Sequence, residues 1–312
     1  MNKARTRSRA VRFDRYGDLD VLYIAEVDPP IPAAGEVIVR MRAAGINPGE
    51  TSIRSGSSHD RFPANFPSGQ GSDLAGTITT LGAGVTTFSV GEQVMGWSHR
   101  RSSHADFIAV PATQLITKPS TMSWEVAGSL YVVGCTAYAA VRAINATSGE
   151  TVAVSAATGG VGAIVTQLLK LKGVRVLGIA SSASQEYLTR LGATPIHHGP
   201  GLADRLRAAA PGGIDAFIDL FGPDYVELAI SLGIRPDRIN TIIARDAARK
   251  YKTKSDGSMA ATTTHVLAEL AELVGSGRVT FPIAATYPLE RVHDAYAELE
   301  RRHTHGKIVL VP

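Results

Sequence analysis

The chain offers almost no thiol chemistry, since Cys135 is the one cysteine in 312 residues. A lone cysteine excludes an intrachain disulfide and a cysteine-based structural zinc site, and it fits a reducing, cytoplasmic setting. It suits the part of a small buried apolar residue better than that of a nucleophile. No apolar run is long enough to span a bilayer, and the first residues lack the apolar stretch of a secretory leader. Charge of one sign is also scarce. The net charge of +4 comes from scattered Lys and Arg, apart from Lys3, Arg5, Arg7, Arg9 and Arg12. That basic tail reads as a solvated segment rather than a nucleic-acid contact. What is present, 44% hydrophobic and 19% charged residues, is the composition of a globular protein that can bury a core, with length for about two domains.

The first third reads as short strands between turns. Residues 36–44 alternate, with Val37, Val39, Met41 and Ala43 on one face and Ile38, Arg40 and Arg42 on the other. Further short strands at 74–81, 93–96 and 105–110 give the pattern of a small irregular β-barrel. After Lys118-Pro119 the texture changes. A helical pattern covers 124–144, and strands then alternate with helices: strands at 151–155, 174–180, 195–197 and 214–220, helices at 163–172, 185–191 and 202–210. Such alternation implies a parallel sheet covered on both faces. A strand over 238–244 follows. The last section offers helices at 263–274 and 289–301 and strands at 281–287 and 307–311, and it can rejoin the first domain.

The most informative stretch is 151–173, TVAVSAATGGVGAIVTQLLKLKG. A β-branched strand runs into Ala156-Ala157-Thr158-Gly159-Gly160-Val161-Gly162 and then into a helix that Gly173 stops. Strand, glycine turn and helix form the first half of a dinucleotide-binding βαβ unit, in which a pyrophosphate meets free N–H groups at a helix N-terminus. The usual G-x-G-x-x-G appears as Ala157-x-Gly159-x-x-Gly162. Alanine stands for the glycine of the tight turn, while those for phosphate approach and helix–strand packing remain.

These motifs form a set. Gly45-Ile46-Asn47-Pro48, Gly71-Ser72-Asp73-Leu74-Ala75-Gly76, Gly82-Ala83-Gly84-Val85 and Thr136-Ala137-Tyr138 precede 156–162. Leu191-Gly192-Ala193 and the tail Gly306-Lys307-Ile308-Val309-Leu310 follow it. In this order the chain resembles the medium-chain dehydrogenase/reductase superfamily, in its zinc-independent, zeta-crystallin-like quinone oxidoreductase branch. The resemblance implies an α/β fold. A GroES-like β-barrel catalytic domain comes from residues 1–120 and 256–312, and a Rossmann doubly wound parallel-sheet domain from 121–255. Cofactor and substrate would meet in the cleft between them. The span 221–251 is short for the family, so an edge strand of the sheet is expected to be reduced.

Alcohol dehydrogenases of this superfamily hold catalytic zinc through Cys and His at two of these motifs. Here the positions carry Asn47 and Ser72, poor zinc ligands, and no Cys or His set elsewhere has ligand spacing. His303 and His305 read as a solvated pair. Without a Lewis acid the expected acceptors are quinones or carbon–carbon double bonds conjugated to a carbonyl. An NAD site would place a carboxylate after the second strand, about twenty residues past the fingerprint. This chain has Ser181 and Ser182 there and no carboxylate before Glu186, which favours NADPH; the other reading makes these serines helix caps.

By resemblance Asn47 orients the nicotinamide, while Thr136, taken as the start of a helix, Thr158, Gly159, Gly160 and Val161 hold the cofactor. His198 and Lys307 are further contacts. Ser52 stands where relatives carry a Tyr that steadies the substrate carbonyl, leaving the proton to water or another group. Arg54 is expected to face solvent, the other reading making it a carbonyl or anion contact. The implied function is an NADPH-dependent quinone reductase without zinc. An enoyl or alkenal reductase, of the kind found in secondary metabolism, is the alternative, and a non-catalytic NADPH- or RNA-binding protein comes third. No membrane or nucleic-acid partner is expected, and a homodimer is the family's habit.

Overall fold

A computed structural model describes residues 7–301 and 304–312. Lys3 and Arg5 of the basic tail and His303 lie outside the described residues. The chain divides into two compact units. Unit 1 comprises Met1–Val132, Thr263–Ser276 and Pro282–Pro312; unit 2 comprises Val133–Thr262 and Gly277–Phe281. These borders fall later than the ones drawn from sequence texture, and the short return of 277–281 to unit 2 has no mark in the sequence.

Unit 1 opens with strands β1 (Ser8–Phe13), β2 (Tyr23–Val27) and β3 (Glu36–Gly45), then helix α1 (Pro48–Arg54). Strands β4 (Ser68–Gly69), β5 (Asp73–Leu81), β6 (Gln93–Trp97), β7 (Phe107–Pro111) and β8 (Leu115–Thr117) follow. Part of the expected solvated tail is therefore strand. Arg7 pairs with Glu26, and Arg9 meets Asp106 through two nitrogens and also bonds Glu290. On β3 the alternation holds for Arg40 and Arg42, which are exposed, but Ile38 is buried along with Val37 and Val39. β3 pairs with β5 on one edge and with β7 on the other. Val37, Val39, Met41, Leu74, Ile78 and Val110 fill the core beneath it, each large one contributing about 1.5–3 kcal/mol by leaving water.

The helix expected over 124–144 breaks into α2 (Trp124–Ala127) and α3 (Leu130–Ala143). The cause is a close approach. The Gly128 carbonyl accepts the Gly45 N–H at 2.7 Å, and a Cβ on Gly128 would stand 2.4 Å from the Ala43 oxygen.

Unit 2 runs β9 (Thr151–Val154), α4 (Gly160–Leu171), β10 (Arg175–Ala180), α5 (Gln185–Leu191), β11 (Thr194–His197), α6 (Leu202–Ala209) and β12 (Ala216–Asp219). Then come α7 (Pro223–Ser231), β13 (Ile239–Thr241) and α8 (Arg245–Tyr251). The sheet is parallel throughout, in the order β11-β10-β9-β12-β13. This is the doubly wound order, with direction reversing between β9 and β12. Among the described residues it has five strands, the last of three residues. The shortened span 221–251 holds α7 and α8, which the sequence reading missed. Both are brief, and their shared apolar contact is small: Val226, Ala244 and Ala247 against Tyr251.

The chain ends in unit 1 with α9 (Thr264–Gly275), β14 (Ile283–Pro288), α10 (Val292–Glu300) and β15 (Lys307–Val311). As expected, the C-terminal segment rejoins the first part. Strand β15 pairs antiparallel with β3, Val309 opposite Gly45, and parallel with β14. Among the described residues no helix is long and apolar enough to cross a membrane.

Candidate active site

In unit 2 the glycine turn leaves β9 at Ser155 and enters α4 at Gly160. The residue in the left-handed region is Ala156, at φ 45°. The tight turn thus falls one residue before Ala157, at a cost of about 1–2 kcal/mol for a non-glycine. The Ala157 N–H anchors the turn to the Ile179 oxygen of β10 at 3.2 Å. A Cβ at Gly162 would stand 2.3 Å from the Ala156 oxygen and 2.7 Å from the Ala157 Cα, so helix and turn meet only through glycine. Gly159 is different. It caps α4 at φ −70°, and the nearest atom to its missing Cβ is 3.4 Å away. The protein itself does not require glycine there; a ligand pressing on the helix N-terminus would. The N–H groups of Gly160, Val161 and Gly162 open α4, where no preceding turn supplies acceptors. Thr158 is buried beside them. The turn thus fits a bound pyrophosphate.

At the end of β10, Ser181 shares a hydrogen bond with the Ser184 hydroxyl at 2.9 Å and does not cap a helix with its side chain. Ser182 is exposed. His198, also exposed, donates its N–H to the Ala180 oxygen, and its ring stacks on His197. Glu186, the first carboxylate, is engaged with Arg190 at 2.5 Å. Thr136 departs from expectation. It lies buried inside α3, which begins at Leu130, so no free first-turn amide accompanies it.

Unit 1 gathers Asn47, Glu50, Asp73, Tyr296 and Lys307 into a buried polar network. The Asn47 Oδ1 accepts from Lys307 Nζ at 2.7 Å, and its Nδ2 donates to Asp73 Oδ2 at 2.9 Å. Glu50 accepts the Asn47 N–H at 2.9 Å, the reciprocal half of a capping box on α1, together with the Ser72 N–H at 3.0 Å and the Tyr296 hydroxyl at 2.7 Å. Asp73 also accepts the Val132 N–H at 2.7 Å. Burial pushes the Asp73 carboxyl above its ordinary range, against the pull of the Lys307 charge and its hydrogen bonds. Burial holds His104 below the usual imidazole value, and burial next to Glu50 pushes Tyr296 well up.

Two expectations change here. Lys307 is not a free cofactor contact. Its ammonium is spent on the Ile46 oxygen, Asn47 Oδ1 and Asp73 Oδ2, which matches its three donors. Arg54 does not face solvent. It is 1% exposed, reaches Glu300 at 2.7 Å and lies over the Tyr296 ring. Ser52 is half-buried on α1, its carbonyl taking the Ser57 hydroxyl at 3.1 Å. Glu50 was missed although Asn47-Pro48-Gly49-Glu50 has capping-box spacing. Asp73 and Tyr296 give no such signal, because their partners are remote in sequence. Among the described residues no three His, Cys, Asp or Glu side chains are grouped to hold a metal ion.

Two family models match, the alcohol dehydrogenase GroES-like domain over residues 33–120 and the zinc-binding dehydrogenase over 191–310. Fold, turn and matches together place the chain in the medium-chain dehydrogenase/reductase superfamily, as an oxidoreductase. Within that class it belongs to the zinc-independent quinone oxidoreductase branch. It is 29% identical to the quinone oxidoreductase of Pseudomonas aeruginosa, over 98% of this chain and 100% of the relative. It is 28% identical to that of Mus musculus, over 93% of each. The solved quinone oxidoreductase of Escherichia coli, complexed with NADPH, aligns at a TM-score of 0.88 with 25% identity, over 97% of this chain and 100% of that one. The Asn47 and Ser72 positions lie outside the span matched by the zinc-binding model.

Proposed function

We propose that the protein is an NADPH-dependent reductase that passes hydride to a quinone without a metal ion. The observation that carries this reading is the Gly159 turn, where glycine answers to a ligand and not to the fold. A bound nicotinamide cofactor supplies the hydride chemistry. The first turn of α4 holds its pyrophosphate, with Thr158, Gly159, Gly160 and Val161 at the contact. Ser181, exposed Ser182 and His198 sit where the adenosine ribose would lie, and no free carboxylate opposes a 2′-phosphate. Asn47 orients the nicotinamide, its carboxamide held in one sense by Lys307 on the oxygen and Asp73 on the nitrogen. Ser52 lines the acceptor side, and water delivers the proton. The names of the relatives support a quinone as acceptor.

The test is a panel of benzoquinones, naphthoquinones and enones with NADPH and NADH in parallel. Oxidation of NADPH by quinones is expected; turnover of enones alone would shift the assignment to a double-bond reductase. Ser181→Asp should reverse the cofactor preference, raising KM for NADPH by about tenfold or more through charge repulsion at the 2′-phosphate. An unchanged NADPH/NADH ratio in this variant would remove the serine argument.

A further inference from the structure

The carboxyl edge of the unit 2 sheet holds a buried carboxylate satisfied by neutral donors. Asp219 ends β12 and has no exposed surface. Its Oδ1 accepts from the Ser155 hydroxyl at 2.8 Å, the Phe221 N–H at 2.9 Å and the Gly222 N–H at 3.1 Å, and its Oδ2 accepts from the Thr241 hydroxyl at 2.7 Å. The two hydroxyls extend the network. Ser155 accepts the Leu220 N–H at 2.8 Å, and Thr241 accepts the Ala244 N–H at 2.9 Å and the Ile243 N–H at 3.3 Å. A carboxylate has acceptor capacity for four such bonds, and burying one is costly unless they are made.

The donors come from three different strand ends. Ser155 leads directly into Ala156, the left-handed residue of the glycine turn. Phe221 and Gly222 leave β12, and Thr241 ends β13. Asp219 and Thr241 are paired in register, and Phe221 and Ile243 each stand two residues beyond them. Both are large apolar residues left open, at 50% and 47% exposure. In an open doubly wound sheet, ligands bind outside the carboxyl ends of the strands where their order reverses. Here that point lies between β9 and β12, the strands Asp219 ties together.

We infer that Asp219 is a positioning residue for the nucleotide site. It presets the first step of the glycine turn and holds Phe221 and Ile243 forward as an apolar wall for a flat ring of the bound ligand. This rests on the reading of unit 2 as the cofactor site. The Phe221 bond to Asp219 runs through its backbone N–H, so changing the side chain, which packs edge-on against Tyr225 at 5.6 Å, leaves the hydrogen-bond network in place.

Asp219→Asn keeps the shape but turns an amide nitrogen toward donors. Titrated with NADPH by fluorescence, well below its Tm, it should bind about tenfold or more weaker than wild type. Thr241→Val should bind severalfold weaker, and Phe221→Ala should do so with at most a small fall in Tm from the lost edge contact with Tyr225. Wild-type NADPH affinity in folded Asp219→Asn, with only a lower Tm, would reduce Asp219 to a structural role and overturn the inference. If Asp219→Asn does not fold, wild-type affinity in both other variants overturns it equally. A wild-type chain that binds neither NADPH nor NADH would instead strike the functional reading and take this inference with it.

Discussion

Lys307→Met is expected to cost the folded protein about 3–5 kcal/mol, the usual penalty for leaving a buried charge without its partner. Lys307 and Asp73 are 4% and 0% exposed, and their separation of 3.5 Å is bridged by Asn47, which bonds both. Without the ammonium, nothing of opposite charge offsets the burial that already holds the Asp73 carboxyl high. The sign of the pH effect follows. The folded state keeps a proton on Asp73 at pH values where the unfolded chain, with an ordinary carboxylate near pH 4, has released it. Raising the pH from about 4 through the folded-state value therefore removes stability, and it does so over a wider range in the variant. Urea denaturation at a series of pH values should show a steeper loss in Lys307→Met than in wild type. Adding Asp73→Asn should remove that slope and recover much of the stability. A Lys307→Met protein as stable as wild type at neutral pH would mean that the pair is not what holds this part of unit 1.

Gly162→Ala should nearly abolish cofactor binding, whereas Gly159→Ala should weaken binding without harming the fold. At Gly162 the added methyl would meet backbone at 2.3 and 2.7 Å, and backbone cannot step aside as a flexible side chain can. The turn must open, at about 1–3 kcal/mol for the strain, and a pyrophosphate cradle displaced by even about 1 Å can lose about a hundredfold in affinity. At Gly159 the methyl finds 3.4 Å of room and a φ that alanine adopts freely, so the melting temperature should hold or rise slightly. The methyl nevertheless stands where the ligand must approach. Calorimetric titration with NADPH, read beside thermal melts, separates the two effects. Equal affinity in Gly159→Ala and wild type would show that no ligand presses on that position.

Much of the fold was legible because it is written locally. The β-branched run at β9, the stop at Gly173, helix α5 over Gln185–Leu191 and the final strand Lys307–Val311 each carry their periodicity and end signals within a few residues. The glycine turn was legible for the same reason, apart from the step to Ala156, which only the backbone path reveals. Helices α7 and α8 went unread; both are brief and share only a small apolar contact. The helix break at Gly128 was invisible because its cause, the backbone of β3, lies more than eighty positions away in the chain.

The site divides along the same line. By itself the sequence determined that a glycine turn opens a helix, that Asn47 and Ser72 stand where zinc ligands would, and that Ser181 and Ser182 replace a carboxylate. Only the tertiary structure decided what each polar side chain is paired with. Lys307 reads in sequence as a cofactor contact near the C-terminus, and it becomes the partner of Asn47 and Asp73 because β15 pairs beside β3. Arg54 reads as a surface residue, and Glu300 and Tyr296 draw it inside. Apolar periodicity records that a face is buried. Whether a charge on that face is tolerable depends on partners brought from more than two hundred residues away, and the pattern of one segment does not contain that information.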